Sequence, residues 1–138
     1  MDITFEYWNK LANQVGTISS LLGGFSIAVV ANILVSEGKG KLHKYIMVAS
    51  TLAACFFLIT VFSMTNLFLK TTPGYPIKLV EGDLIFPRAI GFLSFISGVI
   101  SLITLIALAG WTKSKKIGRF TTVIGIVTLI LMLMMTSI

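Results

Sequence analysis

Charged residues divide this sequence into four long uncharged stretches. All sixteen acids and bases fall within residues 1–10, 37–44, 70, 78–88 and 113–119. Each stretch between these places is mainly apolar and is close to or above the roughly 20 residues that an α-helix needs to cross about 30 Å of hydrocarbon. Hydrophobic residues make up 56% of the 138 residues, more than is usual for a soluble domain. The pattern predicts an all-α integral membrane protein.

The same pattern predicts one membrane domain over residues 1–138, with spans at about 13–36, 45–69, 88–111 and 120–138. Barrel strands alternate apolar and polar residues, whereas these stretches are continuously apolar. Short connections follow the first and third spans, so we expect a four-transmembrane-helix bundle made of two antiparallel helical hairpins. Prolines and glycines in the longer central connection favour turns, and Pro87 suits the first turn of the third helix.

The N-terminal residues differ from the spans in carrying aromatic and charged side chains together. Phe5, Tyr7 and Trp8 lie among Asp2, Glu6 and Lys10, a mixture typical of the membrane interface. The sequence predicts an interfacial segment over residues 1–11 before the chain turns into the bilayer. Its acids do not resemble the basic start of a signal peptide, so we expect the first helix to remain in the mature protein.

The basic residues are distributed unequally between the two sides of the predicted bundle. The connections after the first and third spans hold seven of the eleven bases and one acid, Glu37; on the other side, four bases face four acids. The positive-inside rule places the basic connections in the cytoplasm and both termini on the opposite side. The seven bases are Lys39, Lys41, Lys44, Lys113, Lys115, Lys116 and Arg119.

The composition also limits the function. Apart from Arg88 at the very start of the third span, no Asp, Glu, Lys or Arg occurs inside a span, and the lone histidine, His43, lies in a lysine-rich connection, so we expect no enzyme, cofactor or metal site. The net charge of +6 suits anionic lipid, and we expect the bilayer, not nucleic acid, as the partner. Cys55, the single cysteine, is expected to be a small core residue.

Small residues recur at regular spacing in three of the predicted helices. In the first, Gly16, Ser20, Gly24, Ala28 and Asn32 repeat every four residues, so the row winds around the helix by about 40° per step. The third and fourth helices instead alternate steps of three and four, the seam of a left-handed bundle. Their packing residues are Gly91, Ser94, Gly98 and Ser101, and Gly118 and Gly125.

These rows have two interpretations. Ordinary helix packing, within one chain or between copies, is one; a water-filled path is the other. Asn32 is the most informative residue, because an amide inside an apolar span needs a partner or water. Leu21, Phe25, Ala28 and Asn32 share a face, which would give a channel a hydrophobic constriction and a polar end.

Residues 19–32, SSLLGGFSIAVVAN, resemble the pore-lining first helix of the Orai calcium channels, which also have four helices. The resemblance implies that Leu21, Phe25 and Ala28 occupy the hydrophobic part of a pore. Asn32 takes the position of the family's selectivity glutamate, and an amide lacks the charge that attracts calcium. The family also keeps both termini in the cytoplasm, opposite to the side that the charge count predicts here.

A single chain of four spans has little room for an aqueous path, whereas several copies around an axis can line one. The sequence therefore predicts a homo-oligomeric membrane channel or pore-forming protein in which helix one lines or borders the path. The alternative is a non-conducting membrane anchor, scaffold or regulatory subunit that binds another membrane or cytoplasmic protein.

Overall fold

The computed structural model describes residues 5–36, 38, 40–78 and 80–137, and within them nearly every residue is helical. Helix α1 spans Phe5–Val35, α2 spans Lys41–Thr71, α3 spans Ile85–Trp111 and α4 spans Lys115–Ser137. A short 3₁₀-helix over Glu81–Leu84 precedes α3. All four α-helices are long and apolar enough to cross a membrane, which agrees with the predicted number of spans.

The helices extend beyond the predicted spans. Helices α1 and α2 have 31 residues each, about 46 Å at 1.5 Å per residue. Helix α1 is continuous from Phe5, so no turn separates residues 5–11 from the span that follows, in contrast to the expected bend. The interfacial position of this segment stays a prediction, since a straight helix of this length can still reach the membrane surface.

Extensive contacts join consecutive helices: α1 with α2, α2 with α3, and α3 with α4. Along each pair, residues of increasing number in one helix contact residues of decreasing number in the next. On α1, for example, Gly16 lies beside Met64 and Gly23 beside Phe57. Neighbouring helices therefore run in opposite directions, and the connections after α1 and α3 lie at one end of the protein. We call this end, with the described residues 36, 38, 40–45 and 111–120, the basic end, and the other the distal end.

Helix α2 forms the centre of the fold, and two of its side chains fill spaces left by glycines on both neighbours. The Phe57 side chain lies between Gly23 of α1, which faces its Cβ, and Gly98 of α3, which faces its ring; Met64, seven residues later, lies between Gly16 and Gly91. Both Phe57 and Met64 are almost completely buried. The repeat of seven residues on each helix is the period of left-handed helix packing, and it brings the three backbones close together.

The predicted row on α3 faces α2, as its packing role requires. Gly91, Ser94 and Gly98 are buried and Ser101 is half-buried. Below them Leu105 packs with Ile46 and Ala49 of α2. The row therefore forms the α2–α3 contact along most of the length of the two helices.

Helix α4 packs on α3 through the row that the sequence indicated. A side chain at Gly118 would overlap the Trp111 ring, and one at Gly125 would approach Ile103 Cγ2 within 3.1 Å. The Trp111 indole Nε1 donates a hydrogen bond to Thr122 Oγ1 at 3.0 Å. Gly118 and Gly125 are the two buried residues of α4 within its described length, so most of this helix is exposed.

At the distal end, three helices meet through polar and aromatic contacts. Asn9 Nδ2 donates to the carbonyl oxygen of Phe68 at 2.9 Å and to the hydroxyls of Thr71 and Thr72 at 3.2 and 3.1 Å. The Arg88 guanidinium lies 4.5 Å from the centre of the Trp8 ring. These contacts attach the start of α1 to the end of α2 and to the start of α3.

The connection between α2 and α3 has the turns that its composition indicates. The Tyr75 N–H donates to the Thr72 carbonyl at 3.3 Å, and Gly74 between them has a φ of 91°, a conformation that glycine adopts easily. Pro87 lies in the first turn of α3, where its missing N–H costs no helical hydrogen bond.

Candidate functional site

One face of α1 points away from the rest of the chain. Leu21 and Phe25 are 72% and 57% exposed, and Ala28 and Asn32 are also exposed. The structure thus brings the four residues of the predicted pore face together on one surface. The buried residues of α1 lie on the opposite side, against α2, and are Ala12, Ser19, Gly23 and Ser26.

A regular seam runs along the centre of this exposed face. It consists of residues spaced alternately by three and four, which is the spacing of left-handed helix contacts. We call it the α1 seam, and its members are Gln14, Thr17, Leu21, Gly24, Ala28, Ala31 and Val35, all exposed. Gln14, Thr17, Ala31 and Val35 do not belong to the predicted rows, which follow a spacing of four instead of the seven-residue repeat.

The row with a spacing of four crosses from one side of α1 to the other. Gly16 faces α2, where an added Cβ would lie 3.5 Å from Met64 Cβ. Ser20 is exposed, and nothing lies within 4 Å of the Cβ position of Gly24. Of these three predicted packing residues, Gly16 is the one whose Cβ position lies against α2; contact of Ser20 and Gly24 with another chain stays a prediction.

The exposed amides are the groups on α1 that require a polar partner. Asn13, Gln14 and Asn32 are exposed, and their side chains have no hydrogen-bond partner within the part of the chain that the structure describes. The hydroxyls of Thr17 and Ser20 differ, since they donate to their own helix, to the carbonyls of Asn13 and Gly16 at 2.8 and 2.9 Å. In hydrocarbon an unpaired amide is costly, so this face favours water or another polypeptide.

Asn32 is the amide of this face that lies nearest the basic end. It lies three residues before the end of α1 at Val35, close to the basic end and not in the middle of the span. A side chain there sits at the mouth of any path along α1. Asn13 and Gln14 lie toward the distal end, so the polar groups of the face are concentrated near its two ends.

A small polar groove borders the α1 seam on the side of α2. It has a volume of about 200 Å³. Thr65 of α2 supplies a hydroxyl to it, which donates to its own helix at the Val61 carbonyl at 2.7 Å. The α1 residues that line the groove are Ala12, Asn13, Gly16, Thr17 and Ser20.

The predicted basic residues lie together at one end. The six within the described residues are exposed, while Lys39 lies outside them; they are Lys41, Lys44, Lys113, Lys115, Lys116 and Arg119. Among the described residues no group of three or more His, Cys, Asp or Glu could hold a metal ion. Cys55 is exposed on α2, so its expected place in the core was wrong: it lies on the outer side of α2, away from the α1 and α3 contacts.

Comparison of the chain with protein-family models, with curated proteins and with solved structures finds no match.

Proposed function

We propose that this protein is a homo-oligomeric membrane channel or pore-forming protein in which α1 lines or borders the path. The observation that supports this proposal is the exposed face of α1. It combines small residues, unpaired amides and a regular seam on a helix whose opposite side is fully engaged with α2. A face with these properties suits contact with water or with another copy of α1 better than contact with lipid.

The packing inside one chain supports a path between copies. Phe57 and Met64 fill the spaces between α1, α2 and α3, so side chains occupy the positions where a path through a single chain would run. In a symmetric assembly every copy presents the same surface to the axis. A ring of α1 helices would then surround a path between the chains.

The residues of the α1 face would make the width and the polarity of such a path change along its length. Gly24 and Ala28 are small and leave space, whereas Leu21 and Phe25 form a hydrophobic constriction of the kind that gates by dewetting. Asn32 would form a ring of neutral amides at the basic end. The resemblance to Orai channels supports a pore along this helix, but an amide ring supports no selectivity for calcium.

We place the protein in the bilayer as two helical hairpins, α1 with α2 and α3 with α4. The excess of positive charge favours the basic end on the cytoplasmic side. Both termini then face away from the cytoplasm. Labelling of a terminal tag from the non-cytoplasmic side of intact cells tests this orientation, and a tag that reacts only after the membrane is opened would contradict it.

Ion flux through vesicles containing the purified protein tests the channel directly. We expect flux from the wild-type protein, and we expect Phe25→Ala and Asn32→Ala to change its rate or selectivity. Phe62→Ala and Asn66→Ala are matched controls, since both residues are exposed but belong to α2. Equal effects from both pairs would argue against a path along α1.

A non-conducting anchor, scaffold or regulatory subunit is the second candidate. The observation in its favour is the α1 seam itself, because spacing by three and four suits a partner helix as well as a pore. Three results together would support this function instead of the channel. The protein would be a monomer in detergent, it would give no ion flux, and one membrane protein would co-purify with it in a fixed ratio but not with the Gly24→Leu variant.

A further inference from the structure

Two apolar grooves run along α3, one on each side of a ridge formed by Ile100, Thr104 and Leu108. Each groove has a volume of about 370 Å³. Helix α2 forms the far wall of the first groove with Tyr45, Val48, Ala49 and Leu52. Helix α4 forms the far wall of the second with Thr122, Ile126 and Leu129. Since both grooves share one ridge, they lie side by side on the same surface of the protein.

Both grooves have an aromatic side chain where they reach the basic end. Tyr45 lines the first groove and is 55% exposed, and Trp111 lines the second and is 39% exposed. Tyrosine and tryptophan prefer the headgroup region of a bilayer. These two side chains therefore mark the depth at which apolar chains would end and headgroups begin.

Basic side chains continue the wall of each groove toward the basic end. Lys41 precedes Tyr45 by one turn and lies about 40° from it around α2, whereas Lys44 lies about 100° away. On α4, Lys115 lies about 20° from Thr122 and Lys116 about 120° away. Lys41 and Lys115 thus stand above the grooves, while Lys44 and Lys116 belong to other faces of the same helices.

Electrostatics at this end favours an anion. The described residues of the basic end, 36, 38, 40–45 and 111–120, include no acidic side chain to offset the cations. Lys41 and Lys115 are also the first residues of α2 and α4, where the helix dipole favours negative charge. A bound anion would relieve the repulsion of these lysines from each other and from the helix ends.

We propose that this surface binds one diacyl anionic phospholipid, with one acyl chain in each groove and the phosphate headgroup at Lys41 and Lys115. Paired grooves of equal volume match the two chains of a phospholipid, and the lysines match its negative headgroup. A zwitterionic lipid fits the grooves equally well but gains less from the cations. The proposed site is independent of the channel, because no residue of α1 contributes to it.

Tryptophan fluorescence gives a direct test, because the chain has two tryptophans at opposite ends. In a Trp8→Phe protein, Trp111 alone reports on the second groove. We expect phosphatidylglycerol with brominated chains to quench it at a lower mole fraction than brominated phosphatidylcholine in vesicles. In a Trp111→Phe protein, Trp8 at the distal end should show no such preference. Equal quenching of Trp111 by the two lipids would refute the site.

Matched double variants test the role of the two lysines. In the Trp8→Phe protein, Lys41→Gln with Lys115→Gln should reduce the preference for phosphatidylglycerol about fivefold or more, because a lysine beside the bound headgroup contributes about that factor. Lys44→Gln with Lys116→Gln removes the same charge from the same two helices and should leave most of the preference. An equal loss in both doubles would show general attraction to the basic end and would overturn the site.

Discussion

The ring of Phe57 occupies the space that a side chain at Gly98 would fill. A Cβ added at Gly98 would lie 2.9 Å from Cε1 and 3.0 Å from Cδ1 of this ring, and a Cβ added at Gly23 would lie 3.2 Å from the Phe57 Cβ. At these distances a methyl group at either glycine fits only if Phe57 shifts. The glycines of α1 and α3 therefore set how closely these helices approach α2.

We expect Gly98→Ala to lower the free energy of unfolding by about 1–3 kcal/mol, the usual cost of adding a group to a filled core. Denaturant titration in detergent, with helix content as the signal, measures the change. Gly24→Ala is the control, because its Cβ meets nothing within 4 Å. A Gly98→Ala protein as stable as the control would mean that Phe57 has space to move.

The hydrogen bonds of Asn9 attach α1 to the end of α2. We expect Asn9→Ala to lower the free energy of unfolding by about 1–2 kcal/mol, since each intramolecular hydrogen bond contributes about 1 kcal/mol and the amide nitrogen has two protons to donate. In the Asn9→Ala protein, the hydroxyls of Thr71 and Thr72 still donate to their own helix, to the carbonyls of Leu67 and Phe68. The substitution therefore leaves neither hydroxyl without an acceptor. Asn13→Ala, which loses no partner within the described residues, should change stability little in the same titration.

The spacing of small residues was enough to predict the packing of α3 and α4. Gly91 and Gly98, like Gly118 and Gly125, are seven residues apart and face the neighbouring helix. On α1 the same repeat relates Gly16 to Gly23, which is buried. The predicted row has a spacing of four and therefore contains Gly24 in place of Gly23. Gly23 and Gly24 are adjacent residues of the same type, so only the seven-residue repeat distinguishes the packed Gly23 from the exposed Gly24.

The contacts of the distal end could not be predicted from local patterns. Asn9 and its acceptors are about sixty residues apart in the chain, and the Trp8–Arg88 contact joins α1 to α3. Their pairing depends on how α1 and α3 are positioned against α2, which no single stretch of sequence encodes. Cys55 shows the same limit, since its side of α2 is decided by where the neighbouring helices pack.

The contact between Arg88 and Trp8 should stabilise the distal end. A guanidinium over an indole contributes about 0.5–2 kcal/mol, so we expect Arg88→Gln to lower stability by this amount. In a Trp111→Phe protein the remaining Trp8 emission should also change on Arg88→Gln. Lys78→Gln is the control, because it removes a charge from the same end and leaves the contact between Arg88 and Trp8 in place. If Lys78→Gln alters stability and Trp8 emission as much as Arg88→Gln does, the effect comes from net charge and not from this contact.

Cysteine crosslinking can show whether the α1 seam lies between copies of the chain. In a Cys55→Ser protein, we expect Gly24→Cys or Ala28→Cys to form disulfide-linked dimers in membranes on mild oxidation, because copies arranged around α1 bring equivalent seam positions close together. The yield of dimer on a non-reducing gel measures the contact.

Exposure alone does not explain such a crosslink, and a position on α2 provides the comparison. Leu58 is 44% exposed and lies at mid-span of α2, so Leu58→Cys has similar access to oxidant but belongs to a surface with no regular small-residue seam. Dimers at Gly24 and Ala28 but not at Leu58 place α1 between copies, as the channel requires. Equal yields at all three positions indicate random collision, and dimers at Leu58 alone would move the interface to α2 and remove α1 from the axis.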